Sequence, residues 1–329
     1  MLDKKNSIYV AGASGMVGSS ICRLLLKKGY SLKNKNLIIS KRSDLDLTNT
    51  AMVQAWFSEY KPRIVIIAAA KVGGILANKN YPVDFLIENL KIQNNLIESS
   101  FKFGVKKLLF LGSSCIYPKF SEQPIKEKSL LSKDLEVTNQ WYAVAKIAGL
   151  KLCEAYRKQY SFDAISLMPT NLYGPGDNYH PEDSHVMASL IKKFYEAKLN
   201  NQREVLCWGS GNPLREFLYV DDLAKACLHV LENWKPDKHN SPLDNDGQPL
   251  NWLNVGSNYE ISIKDLAYKI SEIIGYEGEI IWDRNKPDGT PRKKLDTEYI
   301  NQLGWYATTN LDQGIRKAIR FFKKEFNSK

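Results

Sequence analysis

The chain has 329 residues, 43% of them hydrophobic, enough to bury a sizeable core as one large α/β unit or two unequal domains. No run approaches the ~20 apolar residues a membrane helix needs, and MLDKKNSIYVAGASG enters a strand-like run without a secretory pattern, so a cytoplasmic protein without a membrane partner is expected. The net charge of +10 comes from lysines and arginines spread along the whole chain, with no basic arm or reading helix for nucleic acid.

In chain order, short β-rich apolar runs alternate with longer amphipathic stretches, which predicts repeated βαβ units and a doubly wound parallel sheet. Strands are expected at Ile8–Ala11, Leu37–Ser40, Ile64–Ala68, Lys107–Leu111 and Ala164–Met168. Helices are expected between them at Val17–Lys28, Thr50–Tyr60, Pro82–Phe103 and Tyr142–Tyr160, the third opening on a proline whose missing N–H costs nothing there. After about Pro169 the pattern loosens, with helices expected at Val186–Ala197, Asp221–Glu232, Ile263–Ile274 and Leu311–Phe326. This later part reads as a smaller α/β cap over the carboxyl edge of the sheet. Residues 1–168 and 169–329 are therefore expected as two units, with the first unit's sheet completed by later segments near 217–232 and 252–256. The polar, proline-rich stretch Lys235–Asn251 is expected as a surface loop.

The run Gly12-Ala13-Ser14-Gly15-Met16-Val17-Gly18 follows a strand and opens a helix, the context in which a dinucleotide fingerprint has physical meaning. Gly12 permits the tight turn, Gly15 lets the backbone approach a pyrophosphate at the helix N-terminus, and Gly18 lets that helix close onto the sheet. The fold class is then a Rossmann sheet. The second strand runs into Lys41 and Arg42, where an NAD-binding chain carries an acid for the ribose 2′-hydroxyl; either cation can pair with a 2′-phosphate, which favours NADP(H). Asp44 and Asp46 come late for that acid.

Tyr142 and Lys146 stand four residues apart on a predicted helix, so both side chains emerge on one face. A carbonyl that receives hydride must be protonated, and a neighbouring ammonium brings a tyrosine's pKa toward a usable range. Upstream, the strand KKLLFLGSSCIYP ends at Ser113 and Ser114, at the edge where open α/β sheets bind ligands, and a serine there can hydrogen-bond the reacting oxygen. The five cysteines, Cys22, Cys115, Cys153, Cys207 and Cys227, are scattered and read as reduced thiols. The histidines, His180, His185, His229 and His239, form no metal-binding spacing, so no metal is expected.

On these motifs the chain resembles the GDP-L-fucose synthases, the GDP-4-keto-6-deoxymannose 3,5-epimerase/4-reductases of the extended short-chain dehydrogenases. The resemblance spans nearly the whole chain, through AAAKVGG (Ala68–Gly74), LGSSCIYP (Leu111–Pro118), YAVAKIAGLKLCE (Tyr142–Glu154), MPTNLYGPGDN (Met168–Asn178), SHV (Ser184–Val186), WGSGNPLREFLYVDD (Trp208–Asp222) and KPDGTPRK (Lys286–Lys293). It implies that Tyr142 is the proton donor of a ketone reduction, Lys146 its partner, and Ser113 or Ser114 the hydroxyl beside the reacting oxygen. It further implies that Cys115 and His185 are the base and acid that epimerise carbons 3 and 5, whose C–H bonds the ketone at carbon 4 acidifies. The resemblance also implies that Leu111, Gly112, Ser113, Pro169, Thr170, Asn171, Leu172 and His185 join the glycine turn and Lys146 around the cofactor, and that Lys193, Trp208, Arg215 and Asp288 contact the GDP-4-keto-6-deoxy sugar. Residues 1–168 then bind NADP and residues 169–329 mainly the GDP-sugar. A homodimer is implied, paired through the Pro82–Phe103 and Tyr142–Tyr160 helices.

On residues alone three other readings stay open. One is the same chemistry on a related GDP-4-keto sugar such as a heptose. Another is an NAD-retaining nucleotide-sugar 4-epimerase or dehydratase, which shares the Tyr/Lys pair but lacks the joint Cys115/His185 signature. The third is a non-catalytic dinucleotide-binding regulator, for which a proton-transfer set has no use.

Overall fold

The computed structural model describes residues 3–181, 183–238, 241–244, 246–286 and 288–327. Its strands are β1 (Ile8–Ala11), β2 (Leu37–Ile39), β3 (Ile64–Ile67), β4 (Lys107–Leu111), β5 (Ala164–Pro169), β6 (Asn171–Tyr173), β7 (Glu204–Trp208), β8 (Leu214–Tyr219), β9 (Trp252–Val255), β10 (Glu260–Ser262), β11 (Glu279–Asp283) and β12 (Arg292–Lys293). Its helices are α1 (Met16–Lys27), α2 (Thr50–Tyr60), α3 (Ile75–Asn80), α4 (Pro82–Lys102), α5 (Gln140–Tyr160), α6 (Val186–Leu199), α7 (Val220–Asn233), α8 (Ile263–Ile274), α9 (Glu298–Gln302) and α10 (Leu311–Phe326).

Six parallel strands form the main sheet in the order β2-β1-β3-β4-β5-β9. Every residue of β1, β3 and β4 is buried, as expected of a parallel sheet covered on both faces. Alternation along β1 decides which face each side chain serves. Ile8 and Val10 join Ile21, Leu25, Leu223 and Cys227 under α1 and α7, while Tyr9 and Ala11 join Phe57, Leu96 and Leu150 under α2, α4 and α5. The strand order reverses between β1 and β3, so the chain leaves a crevice at the carboxyl end of β1, where ligands of such sheets bind.

The later chain builds the cap around its own core of Phe194, Phe217, Leu266 and Ile319. There β8 is central, pairing in parallel with β6 and β12 and antiparallel with β10, while β7 and β11 form a separate parallel pair. Trp252–Val255 is the sixth strand of the main sheet, the helix expected at Asp221–Glu232 is α7 (Val220–Asn233), and β8 belongs to the cap. The physical reason lies in the pattern: Leu223, Ala224, Cys227, Leu228 and Leu231 recur at helical spacing and lie flat on the sheet face beside α1.

Buried Lys107 fastens α7 to that face, its ammonium donating to the Trp234 carbonyl at 2.7 Å and the Leu231 carbonyl at 3.3 Å, so that it caps the helix C-terminus. In the Lys235–Asn251 stretch, residues 239, 240 and 245, His239 among them, lie outside the described residues. The described part is docked on the body rather than free of it, with Pro236, Pro242 and Leu250 buried and Asp237 paired with Arg157.

Candidate active site

The glycine turn stands at the crevice. Gly12 has φ +84°, and a Cβ there would lie 2.7 Å from the Ala69 Cα, so the turn needs a residue without a side chain. A Cβ on Gly18 would overlap the Gly12 carbonyl, which is how closely α1 sits on the turn. Gly15 opens α1 without a side-chain cap, and the first turn carries no acid. The positive end of the helix therefore faces the crevice without an internal anion, which fits a dinucleotide pyrophosphate. Lys41 and Arg42 are exposed in the loop after β2, and among the described residues neither is in an ion pair. They fit a 2′-phosphate.

At the end of β4 the backbone turns through a 3₁₀ segment, Ser114–Ile116, and the two serines part company. Ser113 is extended and accepts from the Cys115 N–H at 3.2 Å, its hydroxyl near enough to influence Tyr142; Ser114 is buried. α5 carries Tyr142 and Lys146 one turn apart, as the spacing predicts. Lys146 is 3% exposed, donates to the Leu111 carbonyl at 2.8 Å, and stands 4.8 Å from the Phe110 ring centre and 5.9 Å from that of Tyr142. Burial takes the Lys146 ammonium down to about 7. Burial also raises Tyr142 above the usual tyrosine range, reinforced by Cys115 and opposed by the Ser113 hydrogen bond. Lys146 and Tyr142 thus stand one turn apart on α5, the ammonium donating to the Leu111 carbonyl from beside the Tyr142 ring.

Cys115 lies beside this pair. Its sulfur accepts from Lys293 Nζ at 3.4 Å and from Asn139 Nδ2 at 3.5 Å. Burial is the largest influence and opposes the thiolate, but Lys293, the Ser113 hydroxyl and Arg215 together take the thiol below its ordinary value. Lys293 is brought there by β12, where it is the register partner of Arg215 on β8. The Arg215 guanidinium donates to the Leu214 carbonyl at 2.8 Å; burial lowers its pKa, while Cys115, Asp288 and Glu136 oppose that shift.

His185 occupies the capping position of α6 and is exposed. Desolvation and then Lys293 hold its pKa below the ordinary histidine value. The loop that carries it is tied across the crevice by the Gly74 N–H, which donates to the Asp183 carbonyl at 2.9 Å. After β5, Thr170 Oγ1 and Asn171 Nδ2 both donate to the Glu216 carbonyl, at 3.2 and 2.8 Å, so Pro169–Leu172 is stitched to the cap. Gly112 continues β4, its N–H donating to the Leu167 carbonyl at 2.9 Å.

The outer end of the recess is aromatic and basic. Trp208 is 46% exposed at the end of β7, with Lys193 Nζ 5.4 Å and Lys286 Nζ 5.3 Å from its ring centre. It is a surface platform and not core. Asp288 accepts from the Ser210 N–H at 2.9 Å and from its hydroxyl at 2.6 Å, and borders a pocket of about 400 Å³ with Trp282, Arg284 and Lys286. Among the described residues, no three His, Cys, Asp or Glu side chains gather in a metal-binding group.

Sequence reasoning missed Lys293 and Asn139. Lys293 lies inside the segment KPDGTPRK, but its two-residue strand has no periodicity to betray it. Asn139 precedes α5, and in a sequence it is indistinguishable from an ordinary helix-start residue.

Comparison with known proteins shows the family of the chain. The model of the NAD dependent epimerase/dehydratase family matches residues 8–243. GDP-L-fucose synthase 1 of Arabidopsis thaliana is 51% identical over 98% of this chain and 95% of its own length. The GDP-L-fucose synthase of Escherichia coli is 46% identical over 97% of both. A solved GDP-L-fucose synthetase from Naegleria fowleri, bound to NADP, has a TM-score of 0.86 at 26% identity, covering 100% of this chain and 97% of that one. The chain belongs to the NAD dependent epimerase/dehydratase family and, within it, to the GDP-L-fucose synthases.

Proposed function

We propose that this protein converts GDP-4-keto-6-deoxy-D-mannose to GDP-L-fucose by epimerising sugar carbons 3 and 5 and reducing carbon 4 with NADPH. The observation that carries the reading is the pairing of two proton-transfer sets in one recess: the phenol of Tyr142 with Ser113, and the thiol of Cys115 drawn toward thiolate by Lys293, Ser113 and Arg215. A reductase alone has no use for the second set.

The glycine turn Gly12–Gly18, Lys41, Arg42 and Lys146 would hold NADP(H), which supplies hydride when bound. Arg215 grips the diphosphate through its fork of donors, with Lys193, and Trp208 offers a face to the base. Cys115, as thiolate, takes the proton from a carbon beside the ketone. His185 returns one from the other side of the sugar. The diphosphate charges of a bound substrate would raise its pKa from that lowered value toward the protonated form. Tyr142 then gives its proton to the oxygen at carbon 4, a role for which a raised pKa is appropriate because the phenol stays protonated until needed.

In this reading residues 1–168 serve the cofactor and 169–329 mainly the sugar nucleotide. The enzyme acts as a cytoplasmic homodimer. Val83, Ile87, Trp141 and Val144 are all exposed on α4 and α5, which supplies the apolar face such a pairing needs, and all five cysteines are free thiols. The test is to mix the purified protein with GDP-4-keto-6-deoxy-D-mannose and NADPH, follow cofactor oxidation and identify the sugar by NMR. GDP-L-fucose is expected. NADPH oxidation that leaves carbons 3 and 5 unchanged would overturn the epimerase half, and no oxidation would overturn the whole.

A further inference from the structure

We infer that Glu216 is a positioning residue for the epimerising thiol, its buried carboxylate holding the end of the Lys293 strand so that the ammonium meets Cys115. The inference rests on the reading of Cys115 as the base.

Glu216 is fully buried, yet among the described residues no cation pairs with it. Its carboxylate is held by backbone donors instead. Oε1 accepts from the Asn258 N–H at 2.8 Å and Oε2 from the Leu295 N–H at 3.0 Å. Burial still pushes its pKa above the ordinary carboxylate range, against those two bonds, the Ser257 N–H and the Thr170 hydroxyl. A buried acid that is disfavoured by its surroundings is costly to keep for packing alone. Its placement explains the choice. Along β8, Arg215 and Glu216 point to opposite sides, so Arg215 faces the recess while Glu216 faces the joint behind it.

That joint controls Lys293. The strand carrying Lys293 has only two residues, paired with Leu214 and Arg215, too short a ladder to fix a side chain by itself. The Glu216 bond to Leu295, two residues on, extends the anchorage past the strand end. The main-chain carbonyl of the same residue receives Thr170 and Asn171, so one residue ties the chain after β5 to the Lys293 segment. Gly256 closes the joint on its far side, where any Cβ would collide with Glu216 Oε1. The segment is also bridged to Ile125, through its N–H to the Lys294 carbonyl at 2.7 Å and the Asp296 N–H to its own carbonyl at 2.8 Å. Loss of the carboxylate therefore shifts Lys293 rather than freeing it.

The experiment reads Cys115 directly, by the pH dependence of its alkylation with iodoacetamide, measured on the Cys115 peptide of the intact protein. In Glu216→Gln the amide NH₂ must face one of the two N–H donors, so one bond is lost. The alkylation midpoint should rise by about one pH unit, a tenfold fall in rate on the acid side. Lys293→Met should raise it at least as far, and Glu216→Gln added to Lys293→Met should have no further effect, because the one acts through the other. Gly256→Ala, which displaces the carboxylate without removing it, should move the midpoint in the same direction and serves where the Gln variant does not fold. An unchanged midpoint in the folded variants, or additive effects in the double variant, overturns the inference. Alkylation involves no sugar, so failure of the epimerase reading shows separately, as undiminished solvent-deuterium exchange at the sugar carbons in Cys115→Ser.

Discussion

The nucleotide turn and the thiol recess lie along one crevice and are assembled by opposite means. Gly12 to Gly18 are consecutive residues whose backbone makes the site, and a side chain at Gly12 or Gly18 would only obstruct it. Cys115 is met by an ammonium 178 residues away in the chain and by an amide 24 residues away, and Lys293 is among the groups that draw its thiol toward thiolate. The turn is a local conformation that survives much variation elsewhere. The recess is a meeting of segments, so any joint that holds those segments is part of its chemistry.

That contrast can be broken or sharpened by substitution, beginning with the largest effect. Tyr142→Phe should lower the rate of NADPH oxidation by about a thousandfold, the usual contribution of a positioned acid, while NADPH still binds. A cofactor titration by fluorescence checks the second half; loss of binding there would mean the two regions are not separable. Gly18→Val should weaken NADPH binding by about a hundredfold, since α1 must move off the turn, at a cost of roughly 3 kcal/mol. The alkylation profile of Cys115 should stay in place, because nothing in the recess depends on the turn.

Lys293→Met reverses that outcome. NADPH binding should be unchanged, while the acid limb of deuterium exchange at the sugar moves upward by about one pH unit. The sign follows from the charge: Lys293 favours the thiolate, so its removal raises the thiol pKa and delays the active form to higher pH. A limb that stays put would mean the ammonium is a bystander. The smallest effect should come from Trp208→Ala, which removes a half-exposed stacking face and should raise KM for the GDP-sugar by roughly fivefold, about 1 kcal/mol, with kcat retained. Steady-state kinetics at saturating NADPH separates the two constants.

Much of the first half of the fold was legible because local pattern and tertiary role coincide there. The apolar runs of β1, β3 and β4 are short and fully buried, and the intervening helices α2 and α4 open on the Asn49 cap and on Pro82, so the strand boundaries nearly match expectation. The cap was harder to read. β6, β10 and β12 have two or three residues each, and such strands exist only because β8 offers them an edge. The Tyr142/Lys146 pair was visible because helical spacing places both on one face, yet the bond from Lys146 to Leu111 was not, since it depends on how α5 sits against β4. Ser113 and Ser114 are alike as residues, and only the 3₁₀ turn sends one toward Tyr142 and the other inward.

By itself, then, the sequence determined what backbone conformation and periodicity can encode: the parallel sheet, the glycine turn, the one-turn spacing of Tyr142 and Lys146, and the composition of the motifs around Cys115 and Arg215. Tertiary structure alone decided which groups share a proton or a charge: Lys293 and Asn139 on Cys115, the Leu111 carbonyl on Lys146, and the Glu216 carboxylate behind them. The reason is range. A turn or a helix face is settled by residues a few positions apart, whereas a pKa is settled by whatever charge or burial the fold brings within a few ångströms, from any distance along the chain.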